Sequence, residues 1–339
     1  MIESVKKVLI LSSPDDAHAD SVTKHLRQMK LHVDFFRFEE FTRQCSISFS
    51  LGMGVNVCLL EREAGNLDLN SYLSIWHRRP GQVSCDTKFP ERWIDTMVQQ
   101  EARNGLDGML RSLSCTWMNF PLNDAACAQK LWQLQIAEQV GLSIPETIVT
   151  NKPEIVRQFF DECDGEVIYK LLGEGSNFSI PANETPRGVS TLPLRKEDLS
   201  FLNQVVHAPH LFQKCIKKAF DLRVTIVGHK LFCIRIDSQS GEGKTDWRND
   251  YSVAMEAFEL PGEIQTKCLN LMRRLGLNYG ALDFILTPDD QYVFLEINCA
   301  GQYLWIEQRT SLQISKEIAN LLAGAADSLV ASITAATQI

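Results

Sequence analysis

The sequence lacks a C-x-x-C pair, although it contains ten cysteines in 339 residues. The cysteines lie singly, mostly within apolar stretches, which is typical of small buried side chains in a reducing compartment rather than of a disulfide framework. No apolar run is long enough to span a bilayer, and the N-terminus lacks the small-residue cleavage site of a signal peptide. These absences predict a cytoplasmic protein without a membrane partner.

Basic residues are outnumbered: 34 Lys and Arg stand against 42 Asp and Glu, for a formal net charge of -8. Sequence-independent binding to nucleic acid requires a basic face, so that class of partner is disfavoured. The sequence also lacks the dinucleotide fingerprint G-x-G-x-x-G, a Walker A motif and internal repeats. The chain length exceeds what one hydrophobic core usually serves, so two or three subdomains are expected.

Residues 1–118 have the pattern of a small N-terminal α/β domain. An apolar run at 7–11, helical spacing of apolar residues up to 31 and a second β-like run at 32–38 form a β-α-β opening. A further strand is expected at 74–76, and a long helix follows at 90–113.

Residues 119–212 are expected to form a central subdomain. A helix begins at Asn123 or Asp124, which are N-cap residue types, and continues through Val140. A strand at 166–172 then leads into a glycine-rich loop at 173–177.

Residues 213–339 are richer in strands, so an α/β chain with an α+β C-terminal part is expected. Two hairpins are predicted, at 222–236 and at 281–297, with a helix at 262–275 between them. A last helix is expected at 311–329.

The second hairpin carries three oxygen-bearing side chains. Alternation along a strand places Glu296 and Asn298 on one face, and Asp283 can reach the same face from the paired strand. Hard oxygen ligands on rigid strands suit Mg²⁺ that bridges nucleotide phosphates. An exposed polar face of the hairpin is the alternative interpretation.

Two lysines and the glycine loop indicate phosphate binding. Lys130 lies in the helix of the central subdomain, and Lys170 ends a β-like run just before Gly173, Gly175 and Ser176. An ammonium group and loop N–H groups can share the oxygens of one phosphate. Each feature alone also fits a solvated surface.

The arginines leave two alternatives open. Arg223 alternates with Asp221 along an otherwise apolar strand, so it points either to a ligand or to a salt bridge with Asp221. Arg248 follows a polar loop and supplies a second guanidinium. Arg78 and Arg79 are interpreted as structural or substrate-steering residues.

The order of these features resembles the ATP-grasp superfamily over residues 119–307, which makes the expected fold ATP-grasp with a pre-ATP-grasp domain in front. The segments that carry the resemblance, besides the lysines and the glycine loop, are FQKCI at 212–216, DLRVTIVG at 221–228, LDF at 282–284 and FLEIN at 294–298. Within that superfamily the chain resembles the peptide-maturing branch, the macrocyclases of microviridin-type graspetides. That closer likeness lies in IWHRRP at 75–80, WMN at 117–119, TDWR at 245–248 and GQYLWIE at 301–307.

The resemblance implies ATP and Mg²⁺ as cofactors and assigns roles to the residues above. Adenine would lie near Gln213, Lys214, Cys215 and Ile216, and ribose or a polar network near Asp221. Lys130 and Lys170 would hold phosphates, Asp283, Glu296 and Asn298 would bind Mg²⁺, and Arg223 and Arg248 would stabilise charge in the reaction. One departure is Lys214, where the family commonly has an acidic residue. Because adenine is contacted largely through backbone groups, this change is expected to leave nucleotide binding intact and to alter a peptide-facing surface instead.

The implied reaction forms an acyl phosphate on an Asp or Glu side chain of a precursor peptide, which is bound partly through a leader segment. A Ser or Thr hydroxyl or a Lys amine then displaces phosphate, giving an ester or an amide. Relatives commonly dimerise, which leaves a homodimer open here. Two alternatives remain: an untethered carboxylate–amine ligase, like glutathione synthetase or the ribosomal-protein glutamate ligase, and a peptide-binding protein with a vestigial nucleotide site.

Overall fold

A computed structural model describes residues 6–52, 57–63, 65–85, 89–173, 191–241, 247–324 and 327–329. Its first sheet is parallel, with strand order β2-β1-β6-β7. Asp16 caps the first helix by accepting hydrogen bonds from the N–H groups of His18 and Ala19. The predicted β-α-β opening is confirmed. Its elements are β1 (Lys7–Leu11), α1 (Ala17–Gln28), β2 (His32–Phe36), β6 (Tyr72–His77) and β7 (Thr116–Trp117).

A small antiparallel sheet in this part of the chain was not predicted. It has the order β3-β4-β5 and comprises β3 (Cys45–Ser50), β4 (Val57–Arg62) and β5 (Leu67–Asp68). The sequence of β3, CSISFS, alternates apolar and polar residues, so a strand signal was present there and was missed. The long helix predicted at 90–113 is present as α2 (Arg92–Arg111).

The single helix predicted from Asn123 or Asp124 to Val140 is wrong, because the structure has two helices there. They are α3 (Pro121–Cys127) and α4 (Lys130–Gln139), and α3 begins with Pro121 after Phe120 rather than at an Asn or Asp cap. Gln129 is extended at the break. The side chain of Gln133 donates to the carbonyl of Cys127 (2.5 Å), which satisfies a group that the break leaves open.

The central sheet is antiparallel in its hydrogen-bonded pairs, with order β10-β9-β11-β8. The boundary predicted between 212 and 213 falls inside its strand β11, and the predicted domain limits stay a prediction. The elements are β8 (Thr147–Thr150), α5 (Pro153–Glu162), β9 (Val167–Lys170), β10 (Leu192–Leu194), a 3₁₀ segment (Lys196–His207) and β11 (His210–Lys214).

The C-terminal sheet contains both predicted hairpins and has the order β14-β13-β12-β15-β16, all antiparallel. Helix α6 (Gly262–Leu275) ends where Gly276 adopts the left-handed conformation, with φ of 69°. The strands of the C-terminal sheet are β12 (Phe220–Val227), β13 (Lys230–Ile236), β14 (Met255–Ala257), β15 (Tyr279–Leu286) and β16 (Tyr292–Asn298).

The chain then forms α7 (Leu304–Arg309) and α8 (Ile314–Leu322), so the last helix begins later than the predicted 311 and its described part is shorter than predicted. Residues from α1 and α8 share one apolar cluster with the face of the C-terminal sheet, which joins the N-terminal part to the C-terminal sheet. Together these elements confirm the mixed α/β class. Among the helices that the structure describes, none has the length and apolar character needed to cross a membrane.

Candidate active site

A cavity of about 800 Å³ lies between the central and C-terminal sheets. Eleven of the predicted site residues line it: Lys130, Lys170, Gly173, Lys214, Cys215, Ile216, Asp221, Arg248, Asp283, Glu296 and Asn298. Gln213 and Arg223 are buried and are not among its lining residues. Gly175 and Ser176 lie outside the described residues. The structure therefore brings together residues that span about half of the sequence, from Lys130 to Asn298.

The cavity is basic although the chain is acidic. Eight Lys and Arg side chains line it, against four Asp and Glu, in a chain whose formal net charge is -8. A concave surface of one sign concentrates ligands of the other sign. Its remaining wall is partly apolar, with Ile168, Ile285 and Leu295 among the lining residues. Such a cavity suits a ligand with an anionic part and a flat apolar part.

Two carboxylates lie next to each other on paired strands. Asp283 of β15 and Glu296 of β16 are register partners, and Arg223 of β12 is the partner of Asp283 on the other side. Arg223 Nη1 donates to both carboxylate oxygens of Asp283 at 2.9 Å. Of the two alternatives left open for Arg223, the salt bridge with Asp221 is not the one observed, since its ion-pair partner is Asp283, and contact with a ligand stays a prediction. Three neighbouring strands of the sheet thus carry a row of charged side chains, Arg223, Asp283 and Glu296.

Cations surround Glu296. Lys130 Nζ lies 3.5 Å from one carboxylate oxygen, and Arg248 Nη1 lies 3.8 Å from the other. Burial favours the neutral acid, but Lys130, Lys170 and Arg248 outweigh it, so the pKa of Glu296 lies below its usual 4.5. Glu296 is therefore an anion at neutral pH, as a metal ligand must be.

Burial acts on the two neighbours of Glu296 as well. Burial lowers the pKa of Lys170. The positive charge of Lys130 lowers it further, whereas the negative charge of Glu296 raises it. Burial raises the pKa of Asp283, against the pull of Arg223. Within the described residues, no group of three or more His, Cys, Asp or Glu side chains forms a metal cluster. The candidate metal site therefore rests on two carboxylates and the amide of Asn298.

The segment FQKCI at 212–216, which we call the connector, leads from the central sheet to the C-terminal sheet, and its backbone is fixed by hydrogen bonds. The N–H of Lys214 donates to the carbonyl of Glu146 (2.9 Å), and the N–H of Cys215 donates to the carbonyl of Glu166 (2.7 Å). The ammonium of Lys214 bonds to the carboxylate of Glu146 (2.6 Å), which accommodates the departure noted in the sequence. Gln213 is buried and donates to Thr147 Oγ1 (3.0 Å). The connector thus forms a rigid rim of the cavity.

Asp221 belongs to a polar network at the same rim. Lys218 Nζ lies 3.1 and 3.0 Å from its two oxygens, and the hydroxyl of Ser238 donates to one of them (2.5 Å). A polar network was one of the two expectations for Asp221, and contact with the ribose stays a prediction. Lys217 and Lys218 also line the cavity, and the sequence reasoning missed both. Their adjacency to the predicted connector was the available signal.

The N-terminal part contributes three cavity residues, His77, Arg78 and Arg79, that were not assigned a role in the reaction. Asp124 was also missed. Burial raises its pKa to about 7, and Asn119 Nδ2 donates to it (2.9 Å). All of these residues reach the cavity only through the tertiary fold.

Three aromatic rings pack beside Arg248. The rings of Trp247 and Trp305 are 5.1 Å apart, and Tyr251 lies 5.5 Å from Trp247 and 5.9 Å from Trp305. Trp247 is buried, whereas Tyr251 is exposed. Two of these residues belong to the sequence segments that carry the closer family likeness.

Comparison with known proteins agrees with this geometry. A family model described as the MvdD pre-ATP grasp domain matches residues 7–125. The structure of the RiPP-associated ATP-grasp ligase of Chryseobacterium gregarium, in complex with ADP and a leader and core peptide, is 30% identical. It has a TM-score of 0.88, and the match covers 97% of this chain and 100% of that one.

The macrocyclase MdnC of Microcystis aeruginosa MRC, bound with its precursor peptide MdnA, is 32% identical with a TM-score of 0.81. The match covers 95% of this chain and 100% of that one. The fold and the site therefore define an ATP-grasp ligase. The chain belongs to the ATP-grasp ligases associated with ribosomally synthesised and post-translationally modified peptides (RiPPs).

Curated relatives match over a shorter stretch. N-acetylaspartylglutamate synthase A of Homo sapiens is 23% identical over 220 residues, which are 62% of this chain and 53% of that protein. A probable alpha-L-glutamate ligase of Teredinibacter turnerae is 24% identical over 196 residues, which are 57% of this chain and 62% of that protein. The chain thus spans between about half and three fifths of the length of these curated relatives.

Proposed function

We propose that this protein uses ATP and Mg²⁺ to activate Asp or Glu side chains of a ribosomal precursor peptide and joins them to Ser or Thr hydroxyls or Lys amines. The observation that carries the proposal is the pair of carboxyl groups of Asp283 and Glu296, with Lys130, Lys170 and Arg248 around Glu296 inside a basic cavity. This arrangement suits a metal–triphosphate, because cations and carboxylates are needed side by side.

The donor set fits Mg²⁺. This ion keeps several waters and takes one or two protein carboxylates together with phosphate oxygens. Asp283, Glu296 and Asn298 would hold it, and each carboxylate has acceptor sites beyond the contacts described above. When bound, Mg²⁺ would neutralise charge on the transferred phosphoryl group.

The residues of the chain would then act in two steps. Lys130 and Lys170 bind phosphate oxygens while a peptide carboxylate oxygen attacks the γ-phosphorus and ADP leaves. A peptide hydroxyl or amine then attacks the acyl carbon, inorganic phosphate leaves, and one proton is released. Arg248, half-exposed at the cavity edge, stabilises the developing oxyanion. Arg223 does not contact the substrate in this scheme; it holds the carboxylate of Asp283 in place through its hydrogen bonds.

The peptide side of the proposal is supported by the two neighbours described above, whose structures contain a leader and core peptide or a precursor peptide. The cluster of Trp247, Tyr251 and Trp305 beside Arg248 supplies aromatic and guanidinium groups, the side chains that most often anchor peptides at interfaces. The curated glutamate ligases keep the untethered ligase as the alternative.

Phosphate release separates the two functions. The protein is incubated with ATP and Mg²⁺, with either free amino acids or a leader-bearing peptide whose core is rich in Thr, Ser, Lys, Asp and Glu. The proposal predicts phosphate release with the peptide alone. Release with free amino acids and no peptide would instead establish the untethered ligase.

A further inference from the structure

The segment that follows β16 has every carbonyl held by a buried or half-buried side chain. We call residues 299–302 the clamped segment. Its four successive carbonyls accept hydrogen bonds from four different side chains, which come from separate elements of the fold. The donors are Asn119 Nδ2 to Cys299 (3.4 Å), Arg78 Nη1 to Ala300 (2.5 Å), Tyr279 Oη to Gly301 (2.6 Å) and Arg223 Nη2 to Gln302 (3.5 Å).

The clamped segment is joined directly to the candidate metal ligand Asn298. The N–H of Ala300 donates to Asn298 Oδ1 (2.9 Å), and the N–H of Gly301 donates to the carbonyl of Asn298 (3.2 Å). Cys299 and Ala300 themselves line the cavity. A displacement of Ala300 would therefore displace the amide oxygen of Asn298.

Gly301 fits this arrangement for steric reasons. A Cβ atom at that position would lie 2.5 Å from the Cβ of Ala281 and 2.8 Å from Arg223 Nη2. The backbone of the segment therefore passes against Arg223 at a distance that a side chain would prevent. The segment is packed as well as hydrogen-bonded, which makes its position in the fold well defined.

Among the four donors, Arg78 belongs to the N-terminal part of the chain. It directly follows β6, and its N–H donates to the carbonyl of Leu11 (3.1 Å). Its side chain is 1% exposed, with Nε lying 3.5 Å from Asp16 Oδ2. Arg78 thus connects the parallel sheet with the clamped segment, 222 positions further along the sequence.

The pairing of Arg78 is incomplete, which argues against a purely stabilising role. Its Nε and Nη2 have no hydrogen-bond partner among the described residues. A buried guanidinium with unsatisfied donors costs stability, and an apolar side chain of similar size often packs at lower cost. The incomplete pairing of Arg78, which also lines the cavity, therefore favours a role at the site over a purely stabilising one.

We propose that Arg78 is a positioning residue for phosphoryl transfer, which acts through Ala300 to hold Asn298 beside Glu296. The inference rests on the proposed function, because it assumes that Asn298 and Glu296 hold the metal. The N-terminal sheet then contributes to the chemistry without touching the reacting atoms. Misplacement of a group in such a site by about 1 Å can lower the rate on the order of 100-fold.

Four variants test the proposal. Arg78→Met removes the donor to Ala300, Arg78→Lys keeps a shorter cationic donor, and Tyr279→Phe removes only the hydroxyl that binds Gly301. The matched control is Asn123→Ala, which deletes a side-chain bond to the carbonyl of Gly276 (2.8 Å), the residue at which α6 ends.

The expected result is a selective fall in kcat. Arg78→Met should lower kcat on the order of 100-fold, with KM for the peptide nearly unchanged and a higher Mg²⁺ concentration needed for half-maximal rate. Arg78→Lys should retain more of kcat than Arg78→Met, and Tyr279→Phe should shift the same parameters less. Asn123→Ala should lower the melting temperature without these kinetic changes.

Two measurements stand apart from peptide turnover. Hydrogen exchange followed by mass spectrometry should become faster in fragments that contain residues 298–304 of Arg78→Met, but not in those of Asn123→Ala. Mn²⁺ binding in the presence of ADP should weaken in Arg78→Met. If the wild-type protein turned over no peptide, the proposed function would fail, while these two comparisons would still test the link from Arg78 to the metal site.

Two results would overturn the inference. If Arg78→Met lowered only the melting temperature, as Asn123→Ala does, Arg78 would be a structural residue. If KM for the peptide rose at constant kcat and constant Mg²⁺ requirement, Arg78 would contact the substrate instead of positioning Asn298.

Discussion

Replacement of Glu296 by Gln removes one negative charge while keeping the size and shape of the side chain. The carboxylate lies between two cations, with Lys130 at 3.5 Å and Arg248 at 3.8 Å. Since the side chain of Arg248 is 51% exposed, solvent screens its share of the interaction. The variant keeps the cations in place and loses the anion that would hold Mg²⁺.

The expected loss of turnover is about 100-fold or more, which corresponds to about 2.7 kcal/mol of transition-state stabilisation at 1.36 kcal/mol for each factor of ten. ATP binding without Mg²⁺ should not weaken. Two unit charges about 4 Å apart interact by about 4 kcal/mol at an effective dielectric constant of about 20. In wild type the carboxylate of Glu296 repels the triphosphate and occupies the cations Lys130 and Arg248. Its removal should therefore favour the binding of ATP.

Steady-state ADP formation over a range of Mg²⁺ concentrations measures the first effect, and calorimetry with ATP and EDTA measures the second. The control is Glu263→Gln, which removes a carboxylate that is 77% exposed and paired with Lys267 on the surface of α6. That control should behave like the wild-type protein. Near-normal Mg²⁺-dependent turnover by folded Glu296→Gln would refute the assignment of the metal site.

Three further predictions concern single positions. Lys170→Met should weaken ATP binding about 10-fold or more and leave peptide binding unchanged, since the lysine is assigned to phosphate; calorimetry with each ligand tests this. Gly301→Ala should lower turnover because the new Cβ meets Arg223, whereas Gly108→Ala, with nothing within 4 Å, should leave turnover at the wild-type value in the same assay. The pKa of Asp124 is raised from 3.8 to about 7, so the native state keeps a proton that the unfolded chain releases. The free energy of unfolding should therefore fall as pH rises from about 4 to about 7, and denaturant melts should show this slope flattened in Asp124→Asn.

The carboxylate pair was predictable because strand alternation is a local signal. The sequence around Asp283 and Glu296 indicated a hairpin with its polar residues on one face, and the register of β15 and β16 confirms it. The apolar spacing of α6 was equally clear, and the structure gives the predicted limits. In both cases residues close in sequence determine the geometry.

The rest depends on contacts between distant residues. The break between α3 and α4 depends on Gln133, which also bonds to the backbone of Ile297, and no spacing in the helix sequence reveals that bond. The bond from Arg78 to Ala300 is of the same kind. Arg223 paired with Asp283 instead of Asp221 because cross-strand neighbours lie closer than alternate residues of one strand.

Mass spectrometry of a modified peptide is the most direct test of whether this protein cross-links peptide side chains. The protein is incubated with ATP, Mg²⁺ and a leader-bearing precursor peptide, and the product is analysed together with the ADP that is formed. We expect losses of one water at a time, each matched by one ADP and one phosphate, and tandem spectra that show an acidic side chain joined to a Ser, Thr or Lys side chain. ATP turnover that yields only a linear amino-acid adduct, or no water loss with any such peptide, would contradict it.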